Sequence, residues 1–368
     1  MNTPPSAPSP HVLRLLAAAR RRTDAVIIPL LERVGPAPAR VLAYQWGMWD
    51  AQGRPAPGSG TGGGKAVRAA LVFACARATG RPDTDPLVAA GAAAVEMLHT
   101  LSLLHDDVMD GDELRRGRPA AWRVFGPDAV EDAVRALTPH AVGLFFDTLP
   151  EPAGLLGSPL PRDPATLRAP ARATAVLGDA LVRLAQGQAL DLALERDLSP
   201  GVAATLRVHA DKTGSLFACA CTLGAAPAAA SDLASFGEHL GIAFQITDDI
   251  LGIWGDPVVT GKPTGADLSA RKKSHPVAVA LTPAPDRCDE DVPRQLLGLY
   301  ALPRPWTPSE RTQAGRLLDR SGARAVSQAA AHGHARAALT ALARACPPHE
   351  EAGEDLRALT AFVIDRPR

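Results

Sequence analysis

Residues 96–118, EMLHTLSLLHDDVMDGDELRRGR, hold Asp106, Asp107 and Asp110 and then the adjacent arginines Arg115 and Arg116. Met97, Leu98, Leu101 and Leu104 precede the acids at helical spacings. On such a helix Asp106 and Asp110 lie one turn apart, so their carboxylates share a face. Carboxylates that close repel, and a hard divalent cation relieves the repulsion. Mg²⁺ binds one or two carboxylates and completes its shell with substrate phosphates. The arginine forks that follow match phosphate oxygens bidentately. Acids for a metal beside arginines for a phosphate describe a Mg²⁺–diphosphate site. A lone acidic helix end before a basic turn also fits a solvated surface. The apolar approach, the Arg-Arg-Gly and a second acidic stretch weigh against that alternative.

The second stretch is residues 244–276, FQITDDILGIWGDPVVTGKPTGADLSARKKSHP. Asp248 and Asp249 end another apolar helical run, and Lys262 and Lys272 follow. Two acid-tipped helices, about 140 residues apart in sequence, can clamp one diphosphate through metal ions. The fifth position of this second stretch is Gly252, where the first has Asp110. Asp256 stands four residues later, but Gly255 and Pro257 beside it predict the end of the helix. Asp248 and Asp249 are therefore the expected metal ligands here.

Gly62-Gly63-Gly64-Lys65 opens a further predicted helix, with Arg68 three residues on along one face. A glycine loop before a helix leaves backbone N–H groups for an anion. It is not a Walker loop: Ser59 stands where the first glycine belongs, and Ala66 follows the lysine. Lys212-Thr213-Gly214 precedes another apolar helix.

The paired aspartate stretches resemble the two aspartate-rich motifs of the trans-isoprenyl diphosphate synthases, the polyprenyl synthetase family. The likeness spans roughly residues 40–280. It implies an all-α fold, ten or more helices around a deep cavity, and a homodimer. It implies head-to-tail condensation of isopentenyl diphosphate with dimethylallyl, geranyl or farnesyl diphosphate. It also implies three Mg²⁺ ions per site, held by Asp106, Asp107, Asp110, Asp248 and Asp249. Lys65 and Arg68 match a Gly-Gly-Lys-x-x-Arg segment that holds isopentenyl diphosphate, and His99 and Arg116 join them. Lys212 with Thr213, Gln245 beside Phe244, and Arg115, Lys262 and Lys272 fall to the allylic diphosphate and its cation. Gln188, Asp191 and Glu195 match a segment of the cavity wall. The positions four, five and eight before the first aspartate set product length in such enzymes; here they are Ser102, Leu101 and Leu98. None is aromatic, so the expected product is geranylgeranyl diphosphate, with twenty-five or more carbons as the alternative. A terpene cyclase on the same fold would need no second basic cluster. A non-catalytic partner subunit would not need the acids and arginines.

The elements that must carry these residues read as helices. Residues 11–49 read as one or two amphipathic helices, and 66–80 and 86–104 as two more. Residues 51–64 form a Gly/Pro loop. Residues 148–170 and 282–308 hold six prolines each and read as loops. Residues 171–195, 309–346 and 352–364 read as helices, and no useful strand pattern occurs. Residues 1–10 are expected to be a disordered tail, and 11–368 one domain.

Composition agrees with that class. The 368 residues are 46% hydrophobic but only 4% aromatic, which favours helices over a β-sandwich. Formal net charge is zero, so no global field recruits nucleic acid or an anionic membrane. The five cysteines are odd in number and include no Cys-x-x-Cys, which predicts a reduced, cytoplasmic setting. No uninterrupted apolar run reaches the roughly 18 residues of a membrane span.

Overall fold

The computed structural model describes residues 9–56, 64–149, 164–256, 265–282, 291–346 and 353–364. It is all-α, with one two-stranded hairpin among the described residues. Pro10–Ile27 (α1) and Pro36–Gln45 (α2) lead to Val67–Ala78 (α3) and Pro86–Met109 (α4). Asp85 caps α4 by accepting from the Leu87 N–H, and Pro86 sits in its first turn, where no backbone N–H is missed. The helix runs to Met109 with Asp110 as its C-cap, so all three aspartates ride its last turns.

By length and mean hydropathy α4 could cross a membrane. It is instead a core helix: 67% of its most apolar window is buried within the protein, and its Ala and Leu side chains join the main core.

The hairpin, Leu114–Arg115 (β1) and Arg118–Pro119 (β2), turns at Arg116 and Gly117. Both have positive φ, 54° and 74°, as a two-residue turn between twisted strands requires. Ala121–Phe125 (α5), Pro127–Gly143 (α6) and Pro164–Arg196 (α7) follow. The loop expected over 148–170 is thus shorter. Residues 164–170 are the first turns of α7, and 150–163 lie outside the described residues.

Val202–Val208 (α8) and Ser215–Gly224 (α9) are joined without a break by a π-turn, His209–Gly214. Lys212 and Thr213 therefore lie inside a continuous helical rod, not in a loop before a helix. Glycines let the neighbours close on this turn. A Cβ on Gly187 would stand 2.6 Å from the Lys212 backbone N, and one on Gly241 2.7 Å from the Gly214 Cα. Ala230–Trp254 (α10) carries the second acid pair near its C-terminal end.

Ala266–Ser269 (α11), His275–Leu281 (α12), Asp291–Tyr300 (α13), Pro308–Arg320 (α14), Ala323–Ala345 (α15) and Glu354–Ile364 (α16) complete the order. The expected loop over 282–308 is corrected by α13. Pro293 falls in its first turn, where proline is tolerated, and Val292, Leu296, Leu299 and Tyr300 are buried. Three clusters result among the described residues: a large one built from the helices before residue 241 with α15 and α16, a smaller one of α12, α13 and α14 around Leu296 and Leu318, and a third of Ile242, Ile246 and Ile250 of α10 with Ala331 of α15. Residues 1–8 of the expected tail lie outside the described residues, while Ser9 caps α1 through the Val12 N–H.

Candidate active site

Asp106 and Asp107 stand in the last turn of α4, the end where the backbone dipole repels negative charge, whereas α10 continues past Asp248 and Asp249 to Trp254. Consecutive helical residues point about 100° apart, so each pair divides. Asp106 is half-buried, whereas Asp107 is 1% exposed; Asp248 is exposed, whereas Asp249 is 1% exposed.

The outward members meet cations and other acids. Lys212 Nζ lies 3.6 Å from Asp106 Oδ1 and 3.0 Å from Asp191 Oδ2. Burial pushes the Asp106 carboxyl above its ordinary value; Lys212 opposes that and the Asp110 charge adds to it. Asp110 is pushed up by burial too, with Lys212 and, more weakly, Lys272 opposing. The end of α4 therefore feels Lys272, the lysine that also pairs with Asp249 of α10. Glu195 is also raised, first by burial and then by Asp110 and Asp191. Asp191 thus belongs to the acidic wall, while Gln188 is buried and its amide donates to Met109 Sδ at 3.7 Å.

The inward members hold side chains in place. Arg115 Nε donates to Asp107 Oδ1 at 2.7 Å, and a second Arg115 nitrogen reaches the same oxygen. Asp249 Oδ1 accepts from Lys272 Nζ at 3.2 Å and from Gln245 Nε2 at 3.3 Å. Its Oδ2 accepts from the His275 N–H at 2.9 Å and pairs with His209 Nε2 at 3.0 Å. Burial would raise the Asp249 carboxyl, but Lys272, His209 and the His275 N–H together hold it far below the usual range. Lys272 is raised in turn, chiefly by Asp249. Both acids were expected among the metal ligands. The structure gives the oxygens of Asp249 to protein donors and one oxygen of Asp107 to Arg115.

The basic residues gather around His99, two turns before Asp106 on the same face of α4. His99 is half-buried, and its pKa is driven well down, first by burial and then by the charges of Arg68, Arg116 and Arg115. Neutral imidazole is the stable form there. Arg116 is lowered by burial and by Arg115 and Arg20 among its neighbours. The guanidinium of Arg68 stacks on Phe217 at 4.9 Å and the ammonium of Lys65 lies over Phe362 at 5.2 Å. Thr213 Oγ1 donates to Gln245 Oε1 at 2.9 Å, which ties the π-turn to α10. Leu98 and Leu101 are buried, and Ser102 is half-buried with its hydroxyl on the His99 carbonyl at 2.8 Å. Lys262 lies outside the described residues.

Four contributors escaped the sequence reading: His209, Glu96, Arg20 and Asp267. Glu96 Oε1 accepts from the Ala69 N–H at 3.1 Å, fixing the start of α3. Arg20 reaches the Gly64 carbonyl at 3.5 Å. The Arg20–Arg22 run was the only signal for it, and that run also suits a solvated helix face.

The polyprenyl synthetase family profile matches residues 59–298. The chain is 37% identical to a geranylgeranyl diphosphate synthase of Mycobacterium tuberculosis, across 98% of this chain and 96% of the relative. It is 34% identical to a (2E,6E)-farnesyl diphosphate synthase of the same organism, across 97% and 94%. A solved polyprenyl synthetase from Streptomyces coelicolor A3(2) superposes with a TM-score of 0.83 at 35% identity, covering 96% of this chain and 99% of that one. The site's acids, lysines and arginine–histidine cluster thus lie in a chain aligned almost end to end with such proteins, and the protein belongs to the polyprenyl synthetase family of prenyltransferases.

Proposed function

We propose that the protein condenses isopentenyl diphosphate head-to-tail with allylic diphosphates, dimethylallyl, geranyl or farnesyl, in a Mg²⁺-dependent reaction giving geranylgeranyl diphosphate. The observation that carries this reading is that two polar clusters occur together. Asp106, Asp110, Asp248, Lys212 and Lys272 form one; Arg68, His99 and Arg116, with Lys65 beside them, form the other. A cyclase has no use for the second region, and a silent partner subunit has none for the first.

The donors fit magnesium. Among the described residues no three His, Cys, Asp or Glu side chains converge into a self-sufficient cage. That suits an ion that takes one or two carboxylates and finishes its shell with phosphate oxygens. Asp106, Asp110 and Asp248 would share in holding such ions, and the partial burial of Asp106 with the acids around Asp110 favours positive charge there. Three ions per site follow the family pattern. When bound, the metal supplies Lewis-acid stabilisation of the leaving diphosphate.

Lys212, Lys272 and Arg115 supply charge to the same leaving group as its C–O bond breaks and it takes the electron pair. Asp107 and Asp249 fix Arg115 and Lys272 at the required angle. Thr213 spends its hydroxyl proton on Gln245, so its lone pairs are left for the allylic cation. Lys65, Arg68, His99 and Arg116 hold isopentenyl diphosphate so that its double bond attacks the cation carbon. A proton from the new C–C unit then passes to the released diphosphate, and no protein nucleophile is needed.

Cys75, Cys219, Cys221 and Cys346 are free and buried, which supports a reducing, cytoplasmic setting for a homodimer of this kind. The test is incubation of purified protein with Mg²⁺, isopentenyl diphosphate and each allylic primer, followed by sizing of the products. Twenty-carbon diphosphate is expected. A cyclised hydrocarbon, or no reaction with any primer, overturns the reading.

A further inference from the structure

The second acidic stretch has Gly252 where the first has its last aspartate. The structure shows what fills that space. A Cβ built on Gly252 would lie 2.3 Å from Oδ2, 2.4 Å from Cγ and 2.7 Å from Oδ1 of Asp267. The volume that any side chain at 252 would take is therefore held by the carboxylate of another residue. Gly252 stands four residues after Asp248 on α10, one turn along the same face. Asp267 reaches it from α11, and the Lys272 N–H donates to the Asp267 carbonyl at 2.9 Å. The charge of Asp267 also bears on Lys272, after the larger effects of Asp249 and burial and in company with Asp191 and Asp248. Asp256, the other candidate to replace the missing acid, is exposed and lies beyond the last residue of α10, Trp254.

We propose that Asp267 supplies the carboxylate that the second stretch lacks, so that Asp248 from α10 and Asp267 from α11 act together toward the metal and the diphosphate. The proposal rests on the reading of the site given above. The exchange is reciprocal: α10 gives up a side chain, and α11 inserts an acid through the gap. Glycine at 252 is then a requirement of the site, since even a methyl group would drive the Asp267 carboxylate away. Because the backbone of Lys272 is bonded to Asp267, the acid and the lysine are delivered to the site as one piece.

The test is Mn²⁺ titration of the whole protein with saturating inorganic diphosphate, with free Mn²⁺ followed by electron paramagnetic resonance. Asp267→Asn and Gly252→Ala should each weaken Mn²⁺ binding about tenfold or more, the scale of lost metal-site partners. Asp256→Asn should leave it unchanged. The double variant Gly252→Asp/Asp267→Ala returns a carboxylate to the same space from α10 and should recover most of the affinity, which a purely structural role for Asp267 would not permit. Asp106→Asn serves as the reference. If it weakens binding while folded Asp267→Asn does not, the proposal fails and the site reading stands. If neither variant changes binding, the site reading fails as well.

Discussion

Each aspartate pair shows how little a residue's type decides its task. Asp106 and Asp107 are adjacent and chemically identical, yet one faces the site and the other is buried under Arg115. The sequence reveals the pair; only the packing of α4 reveals which member turns inward. Asp106→Ala or Asp110→Ala should lower turnover by orders of magnitude in a product assay at saturating Mg²⁺, because each removes a charge facing the leaving group. Near wild-type condensation by either variant would refute that role. The basic cluster has its own signature. Lys65→Ala or Arg68→Ala should raise the KM for isopentenyl diphosphate far more than that for the allylic substrate. Equal shifts in both constants would remove these residues from the second region. His209 was not legible, because its importance comes from meeting Asp249 across forty residues of chain.

Among the elements, the π-turn was the least readable. Nothing in HADKTG distinguishes a helix with one extra residue per turn from the start of a new helix. The glycine at 187 has its reason only once α7 lies against the turn. Gly187→Ala would press a methyl group onto the Lys212 backbone and displace the turn. Expected are a fall in kcat, a rise in the allylic KM and a lower Tm; unchanged kinetics would mean that the turn tolerates the shift. The helices hidden by proline, residues 164–170 and α13, were missed because proline is read as a breaker; Pro164 and Pro293 fall in first turns, which accept it, while Pro170 stands inside α7.

Helix α4 also offers a ruler. At about 1.5 Å per residue, Leu101 lies roughly 7.5 Å and Leu98 roughly 12 Å before Asp106 along the axis. Leu101→Phe should shorten the main product to fifteen carbons if this helix sets the depth. A folded, active variant with the wild-type product would place the floor on other helices.

For the whole molecule, helical class and the order of the main elements were legible from the spacing of apolar residues and from the two acid stretches. The division into three clusters was not, since it depends on which helices lie side by side. The junction near the second acid stretch is built on buried histidines. His275 sits between α10 and α15, its Nδ1 paired with Ser327 Oγ at 2.9 Å, and burial followed by the charge of His209 lowers its pKa to about 4. The sign follows from linkage. As pH falls from the ordinary 6.5 toward about 4, the unfolded chain takes up a proton that the folded one refuses, so stability is lost in that window. Tm measured against pH should fall there, and His275→Asn should flatten the fall. A Tm independent of pH between those values would contradict this account.

The acids crowded at two helix ends bear on how long each molecule survives. Acid charge gathered in one place costs stability, and a ligand that binds only the folded state adds stability in proportion to the logarithm of its concentration. Proteolysis that proceeds through opened molecules then slows when substrate is plentiful and quickens when it is scarce. Abundance of the enzyme would follow its own metabolite supply with no regulator involved, and digestion rates with and without Mg²⁺ and diphosphate would measure the strength of that link.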